Sequence, residues 1–169
     1  MDTVQLRIEQ PGDLGAIRAL HLAAFPTAAE AKLVDRLREE AAVCLSLVAC
    51  AHGELIGHAL FTHAGLLLTD RSHAIGALGP VAVQPARQRT GIGAQLIRSG
   101  LARCAALGLP AVIVLGHPNY YPRFGFRRAD TWDVRNELSA PLEAFMIHWL
   151  SDPLPGPALA KYHPAFSEL

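Results

Sequence analysis

The sequence is sparing with charge, cysteine and aromatic residues, and each shortage closes off a class of function. Charged residues fill 18% of its 169 positions, and 15 Lys+Arg balance 15 Asp+Glu to a formal net charge of zero. A balanced surface supplies no field to draw in a polyanion, so nucleic acid is not an expected partner. Three cysteines cannot all pair, and Cys44 and Cys50 lie on one expected strand, about 20 Å apart at ~3.3 Å per residue and far beyond disulfide reach. They are expected as buried thiols of a reducing cytoplasm. The longest apolar run, AAVCLSLVACA over 41–51, is about half of the ~20 residues a membrane span needs. The first thirty residues carry acids and a proline instead of a basic n-region and an apolar h-region, so neither export nor membrane insertion is expected. Histidines at 52, 58, 63 and 73 form neither HExxH nor a cysteine-spaced set, and GxSxG is absent. Zinc and serine hydrolases are thereby disfavoured, and no metal is expected.

What is present is apolar surface, 51% of residues, enough at this length for one core and a single domain over 1–169. VQLRIEQ (4–10) alternates like a half-buried strand, and Pro11, Gly12 and Asp13 lead into a helix, LGAIRALHLAAF (14–25). A second helix follows, with Ala31, Leu33, Val34 and Leu37 on its apolar side. The runs in CLSLVACAHGELIGHALFTHAGLLL (44–68), broken at His52, Gly53 and Glu54, predict an antiparallel hairpin, extended to a meander by AIGALGPVAVQP (74–85). From Gly91 to Leu107 a stripe of Ile92, Leu96, Ile97, Leu101, Cys104 and Ala105 predicts a helix ended by Gly108 and Pro110. AVIVLG (111–116) is then a buried strand parallel to the one before the helix. HPNYYPRFGFRRAD (117–130) predicts a short helix or turn leading to a strand near Phe126, PLEAFMIHWL (141–150) a late strand, and SDPLPGPALAKYHPAF (151–166) an ordered tail or loop. The order β-α-α-β-β-β-α-β-α-β-β is that of an α/β domain with a mixed sheet.

The stretch GPVAVQPARQRTGIGAQLIR (79–98) carries the chemistry. Gly91 and Gly93 serve either as a tight strand-to-helix turn or as the mouth of an anion site. A strand ends at Pro85, a helix opens near Gly91, and Arg87, Arg89 and Arg98 crowd the junction, so free backbone N–H groups, a helix dipole and cations converge there. A phosphate-binding NTPase loop needs GxxxxGK, which is missing, and a dinucleotide fingerprint needs Gly or Ala where Leu96 stands, with an acid after the next strand where Gly116 and His117 stand.

VQPARQRTGIG (83–93) resembles the Q/R-x-x-G-x-G/A signature of the GNAT superfamily of acyl-CoA-dependent N-acyltransferases, and NYYPRFGF (119–126) resembles that family's late Tyr-x-x-x-Gly-Phe element. The element order agrees as well. LGP before the signature, EAKLVDRLR near the start and AFMIHWL with KYHPAF near the end resemble one bacterial branch of predicted acetyltransferases. The resemblance implies a GNAT-like fold: a central mixed, largely antiparallel β-sheet, splayed between its fourth and fifth strands, with helices on both faces.

It further implies acetyl-CoA as cosubstrate, with the acetyl group passing to a primary amine by direct attack. Gln88, Arg89, Thr90, Gly91, Ile92, Gly93 and Ala94 would hold the pyrophosphate through backbone amides, with Arg89 the favoured cation. Leu78, Val81 and Val83 would flank the pantetheine arm, the Val83 N–H facing the thioester carbonyl, and Asn119 would touch the arm. Tyr121 matches the position that protonates the departing sulfur, a task suited to a phenol of pKa ~10 beside a thiolate whose acid has a pKa of ~8.5; Tyr120 is expected to be structural. Many relatives carry a glutamate on the strand before the signature, but HAIGALGPVAV (73–83) has no carboxylate. The base is thus left open among His73, His117 and a chain of waters. The competing readings are a non-catalytic acyl-CoA-binding domain and a Rossmann-type nucleotide binder. Monomer and homodimer are both open, and acceptor selectivity is assigned to the early helices, the meander loops and residues 151–169.

Overall fold

Alternation along two long strands sets the layers of the fold. The computed structural model describes residues 3–169. Strands β2 (Val43–Ala51) and β3 (Glu54–Leu67) form an antiparallel hairpin whose turn residues His52 and Gly53 both take positive φ, 51° and 77°, the geometry that matches strand twist in a two-residue hairpin. β1 (Gln5–Ile8) pairs with the free side of β2, and β4 (Ser72–Val83) with the other side of β3. β5 (Ala111–Leu115) runs parallel to β4, and beyond it lie β8 (Phe145–Trp149) and the short β6 (Arg127–Arg128), giving the order β1-β2-β3-β4-β5-β8-β6.

Leu45, Leu47 and Ala49 of β2, with Ala59 and Phe61 of β3, face helix α3 (Ile92–Ala106). Val48 and Leu60, on the opposite face, meet α1 (Leu14–Ala24) and α2 (Ala29–Glu39). The apolar side of α2 is the expected Ala31, Leu33, Val34 and Leu37. On α3 the stripe differs at one place. Ala105 is exposed, one residue's rotation past buried Cys104, and Gly100 joins the buried side instead.

The 151–166 segment departs most from the sequence reading. Its residues Ala158–Lys161 form a strand, β9. The β2 ladder on β3 stops at Val43 opposite Thr62, leaving the far end of β3 unpaired on that side, and β9 takes the vacancy with Gly65 opposite Lys161 and Leu67 opposite Leu159. β9 also pairs in parallel with β7 (Val134–Asn136). The cysteines are unpaired, but Cys44 and Cys50 are half-buried where full burial was expected, and Cys104 alone is buried. Burial pushes the Cys44 thiol up to about 11 and the Cys104 thiol up to about 12, so both stay protonated near neutrality.

Gly100 is required by close approach. A Cβ there would stand 2.2 Å from the Phe61 ring, which is itself fully buried. Gly100→Ala gains about 1 kcal/mol of helix propensity but overpacks at a cost of about 1–3 kcal/mol. A contact this short puts the cost at the upper end, so urea unfolding should show a net loss of about 1–2 kcal/mol.

Between α1 and the sheet lies a buried polar chain: His21 Nε2 to His58 Nδ1, 2.8 Å, and His58 Nε2 to Ser46 Oγ, 2.8 Å. Burial and then the Arg38 guanidinium lower His21 to about 4; burial, His21 and Arg38 lower His58 well below the ordinary imidazole range. Both rings are therefore neutral when folded, whereas the unfolded chain takes up protons below about pH 6.5. The stability present above pH 6.5 is lost as pH falls towards 4, about 3 kcal/mol from His21 alone. Denaturation curves between pH 7 and 4 should show this loss, and a His21→Asn variant should show less of it.

Candidate active site

The ladder between β4 and β5 ends at Leu78 opposite Val114, yet β4 runs on to Val83. At the point of parting come Gly79, with φ 138°, and Pro80, which has no N–H to give, joined by a cis peptide bond. The β3–β4 register shifts at the same place, between Ala59 and Phe61. The Gln84 N–H donates to the Ile56 carbonyl across the sheet at 2.9 Å. Because N–H direction alternates along a strand, the Val83 N–H points the other way, into the splay.

Where β4 ends, α3 begins. Gly91 takes φ 92°, and no side chain caps the helix. The first backbone bond returned to Gly91 comes from Gln95, at 3.0 Å, so the N–H groups of Ile92, Gly93 and Ala94 have no partner within the helix. They open on a cavity of about 460 Å3 lined by Val83, Gln88, Arg89, Gly91, Gly93, Ala94, Tyr120 and Arg123. Among the described residues the lining includes cations and no carboxylate, at the positive end of a helix, which is the arrangement an anion requires.

The structure thus brings six expected cofactor residues together and leaves the others apart. Thr90 is turned back, its Oγ1 donating to the Arg87 carbonyl at 2.6 Å. Ile92 sends its side chain into the core and offers only its backbone. Val81 packs on the core, and Leu78 lines a second cavity. Asn119 is exposed, with its carbonyl receiving Arg123 Nη2 at 3.4 Å. Gln88 Nε2 donates to the Val83 carbonyl at 3.1 Å, bracing the loop against the end of β4. Arg98 lies over the Phe124 ring at 5.1 Å.

The two tyrosines face different sides of the site. Tyr120 lines the anion cavity, its hydroxyl 3.5 Å from where a Cβ on Gly93 would stand, and Arg123 covers its ring at 4.6 Å. Neither residue was expected there; adjacent tyrosines in a 3-10 turn point to different sides, and sequence alone does not show which faces the cavity. Tyr121 lies against Gly116, where a Cβ would come within 2.2 Å of its ring, at the end of β5. Burial first, and Tyr120 second, push its phenol up from the ordinary value of about 10 to about 12. His73 sits opposite Leu66 at the far end of β4, and His117 is exposed; neither lines a cavity at the splay.

Residues 5–129 match the family described as acetyltransferase (GNAT) domain. This chain belongs to the GNAT acetyltransferase family. It is 36% identical over 165 residues to the Escherichia coli N-acetyltransferase YhbS, covering 96% of this chain and 98% of the relative. Over 121 residues it is 40% identical to YjhQ of the same organism, covering 70% and 67%. The structure of E. coli YhbS in complex with CoA superposes with a TM-score of 0.89 at 33% identity over 98% of this chain and 93% of that one. A GNAT acetyltransferase from Brucella melitensis in complex with acetyl-CoA superposes at 0.80, 34% identical over 97% and 98%.

On the other side of the splay this GNAT chain has a second cavity, of about 300 Å3, reached from Leu78, Gly79 and Pro80 of β4 and Leu115 of β5. Its remaining wall comes from Glu30 and Leu33 of α2 and from Leu138, Tyr162, Phe166 and Leu169. Glu30 escaped sequence reasoning because its helix alternates charge like any solvated one. Tyr162 escaped it because the tail showed no strand to carry it.

Gly93 is helical with an ordinary φ, so a side chain there strains the cavity and not the backbone. In Gly93→Val the added methyls enter between Tyr120 and Val83. Calorimetric affinity for acetyl-CoA should fall about tenfold, near 1.4 kcal/mol, with the unfolding midpoint nearly unchanged.

Proposed function

We propose that this chain is an acyl-CoA N-acyltransferase that moves an acetyl group from acetyl-CoA to a primary amine by direct attack. The observation that carries the reading is that the uncapped start of α3 and the unpaired edge of β4 meet at Val83. One supplies donors for a pyrophosphate and the other a backbone edge for an extended arm. The two relatives that superpose over nearly the whole chain were solved with CoA and with acetyl-CoA, which supports the same ligand here. Gln88, Arg89, Gly91, Gly93 and Ala94, with the Ile92 and Thr90 backbone, form the diphosphate end; Leu78, Val81, Val83 and Asn119 follow the arm. Residues 1–169 act as one domain, since β9 belongs to the same sheet as the signature strand.

Attack on a thioester needs an uncharged nitrogen, donors for the oxyanion and a proton for sulfur. The Val83 N–H, directed into the splay, serves the oxyanion. Tyr121 serves the sulfur: its raised value keeps the phenol protonated at every working pH, and the acidic N–H of the tetrahedral adduct restores its proton after transfer. A purely acyl-CoA-binding role would leave the second cavity and Tyr121 without a task. No helix among the described residues is long and apolar enough to cross a membrane; with three free thiols, the cytoplasm is the location that fits, as monomer or homodimer.

Titration with acetyl-CoA against NAD, joined to thiol release in the presence of amines, tests the reading. Binding of NAD but not acetyl-CoA overturns it. Tyr121→Phe should lower kcat about 100-fold, the range of a general acid, and leave acetyl-CoA affinity within about twofold. Since Tyr121 loses its proton only as pH rises through about 12, the wild-type rate should show no fall assignable to it up to about pH 10.5.

A further inference from the structure

The second cavity holds two polar atoms for which the fold provides nothing. Glu30 Oε2 is buried with no hydrogen-bond partner, and so is the Tyr162 hydroxyl, on a residue only 6% exposed. Both line the same space. A buried acceptor or donor left unmade costs about 1–3 kcal/mol, and more when charged. Glu30 stands in the first turn of α2, where a carboxylate could have turned outward to water or capped the helix; no side chain caps it. The side chain is instead directed into a space whose other walls are Leu33, Leu78, Pro80, Leu115, Leu138 and Phe166.

Resting on the acetyl-transfer reading above, we propose that this cavity is the acceptor site, that Glu30 receives the acceptor's ammonium and takes its proton, and that the acceptor is a primary amine on an uncharged, largely apolar body. Among the described residues, Glu30 is the only charged side chain in the lining. One carboxylate matches one ammonium. A polyamine would bury a second cation against leucine and proline, and an α-amino acid would bring a carboxylate for which the lining holds no lysine or arginine. The Tyr162 hydroxyl, able to donate or accept, fixes the nitrogen beside the splay.

The cavity opens on the splay at the end where β4 and β5 part. Gly79 and Pro80 are where β4 leaves β5, and Leu115 precedes the Gly116 on which Tyr121 lies. The proton balance is complete with these groups. The ammonium gives one proton to Glu30, which passes it to water. The nitrogen lone pair forms the N–C bond, the C–S bond breaks, sulfur takes the proton of Tyr121, and the second amine proton restores Tyr121.

The test uses the full chain with acetyl-CoA and four probes: benzylamine, n-hexylamine, spermidine and L-phenylalanine. The proposal expects benzylamine or n-hexylamine to release thiol with a kcat/KM at least about tenfold above the other two. Glu30→Gln should lower that kcat/KM about 100-fold and Tyr162→Phe about tenfold. Acetyl-CoA affinity should be unchanged in both variants and the unfolding midpoint should hold or rise as the unpartnered group is removed, whereas a merely structural role would lower it. Glu30→Asp, which keeps the charge but withdraws it by one methylene, should fall between. Turnover carried by spermidine or L-phenylalanine, no turnover of either apolar amine, or a full rate in Glu30→Gln overturns this proposal while acetyl-CoA binding still stands. Failure to bind acetyl-CoA overturns instead the reading on which it rests.

Discussion

Everything at the site depends on a ladder that stops early. Two parallel strands pair through Leu78 and Val114, and then β4 continues alone to Val83. A buried strand edge without a partner is ordinarily a cost, because each unpaired N–H and C=O has lost water and gained nothing. Here the unpaired stretch, about 16 Å of backbone at ~3.3 Å per residue, connects a cation-lined cavity at one end with an apolar cavity at the other.

The two cavities differ in how they bind. The one at the start of α3 works chiefly through backbone: three free N–H groups, a glycine whose missing Cβ leaves room, and a helix end that favours negative charge. Arg89 and Arg123 add charge, and Gln88 braces the loop. The other works through side chains, one carboxylate and one phenol in an apolar wall. Backbone recognition tolerates sequence change everywhere except at its glycines. Side-chain recognition changes with each substitution.

Most of the cation-lined cavity was legible in the sequence because it is local. A strand, a loop and a helix follow one another from Val83 to Ala94, so spacing alone shows that their N–H groups converge. The hairpin, α2 and the crossover through α3 to β5 were legible for a similar reason, each having a clean period. What escaped had either no period or too fine a geometry. Ala158–Lys161 reads as a loop because alanine and lysine are poor strand formers; it pairs only because β2 leaves the edge of β3 vacant beyond Thr62. Tyr120 and Tyr121 are indistinguishable until the 3-10 turn orients them. Glu30 is one carboxylate of a helix rich in charge, and only the fold shows that it turns inward. The absence of a glutamate from the signature strand was legible in the sequence.

The strand β9 has a further consequence for how the two halves arise. The cation-lined cavity is complete within one continuous stretch of chain, from Val83 to Arg123. The apolar cavity needs Glu30 from before the β2–β3 hairpin and Tyr162 from just after β9, and the latter is held in place only once Ala158–Lys161 has zipped onto β3. Local structure closes first and distant structure last. A folding chain therefore closes the cation-lined cavity before the apolar one, which is finished only when the last strand is in place.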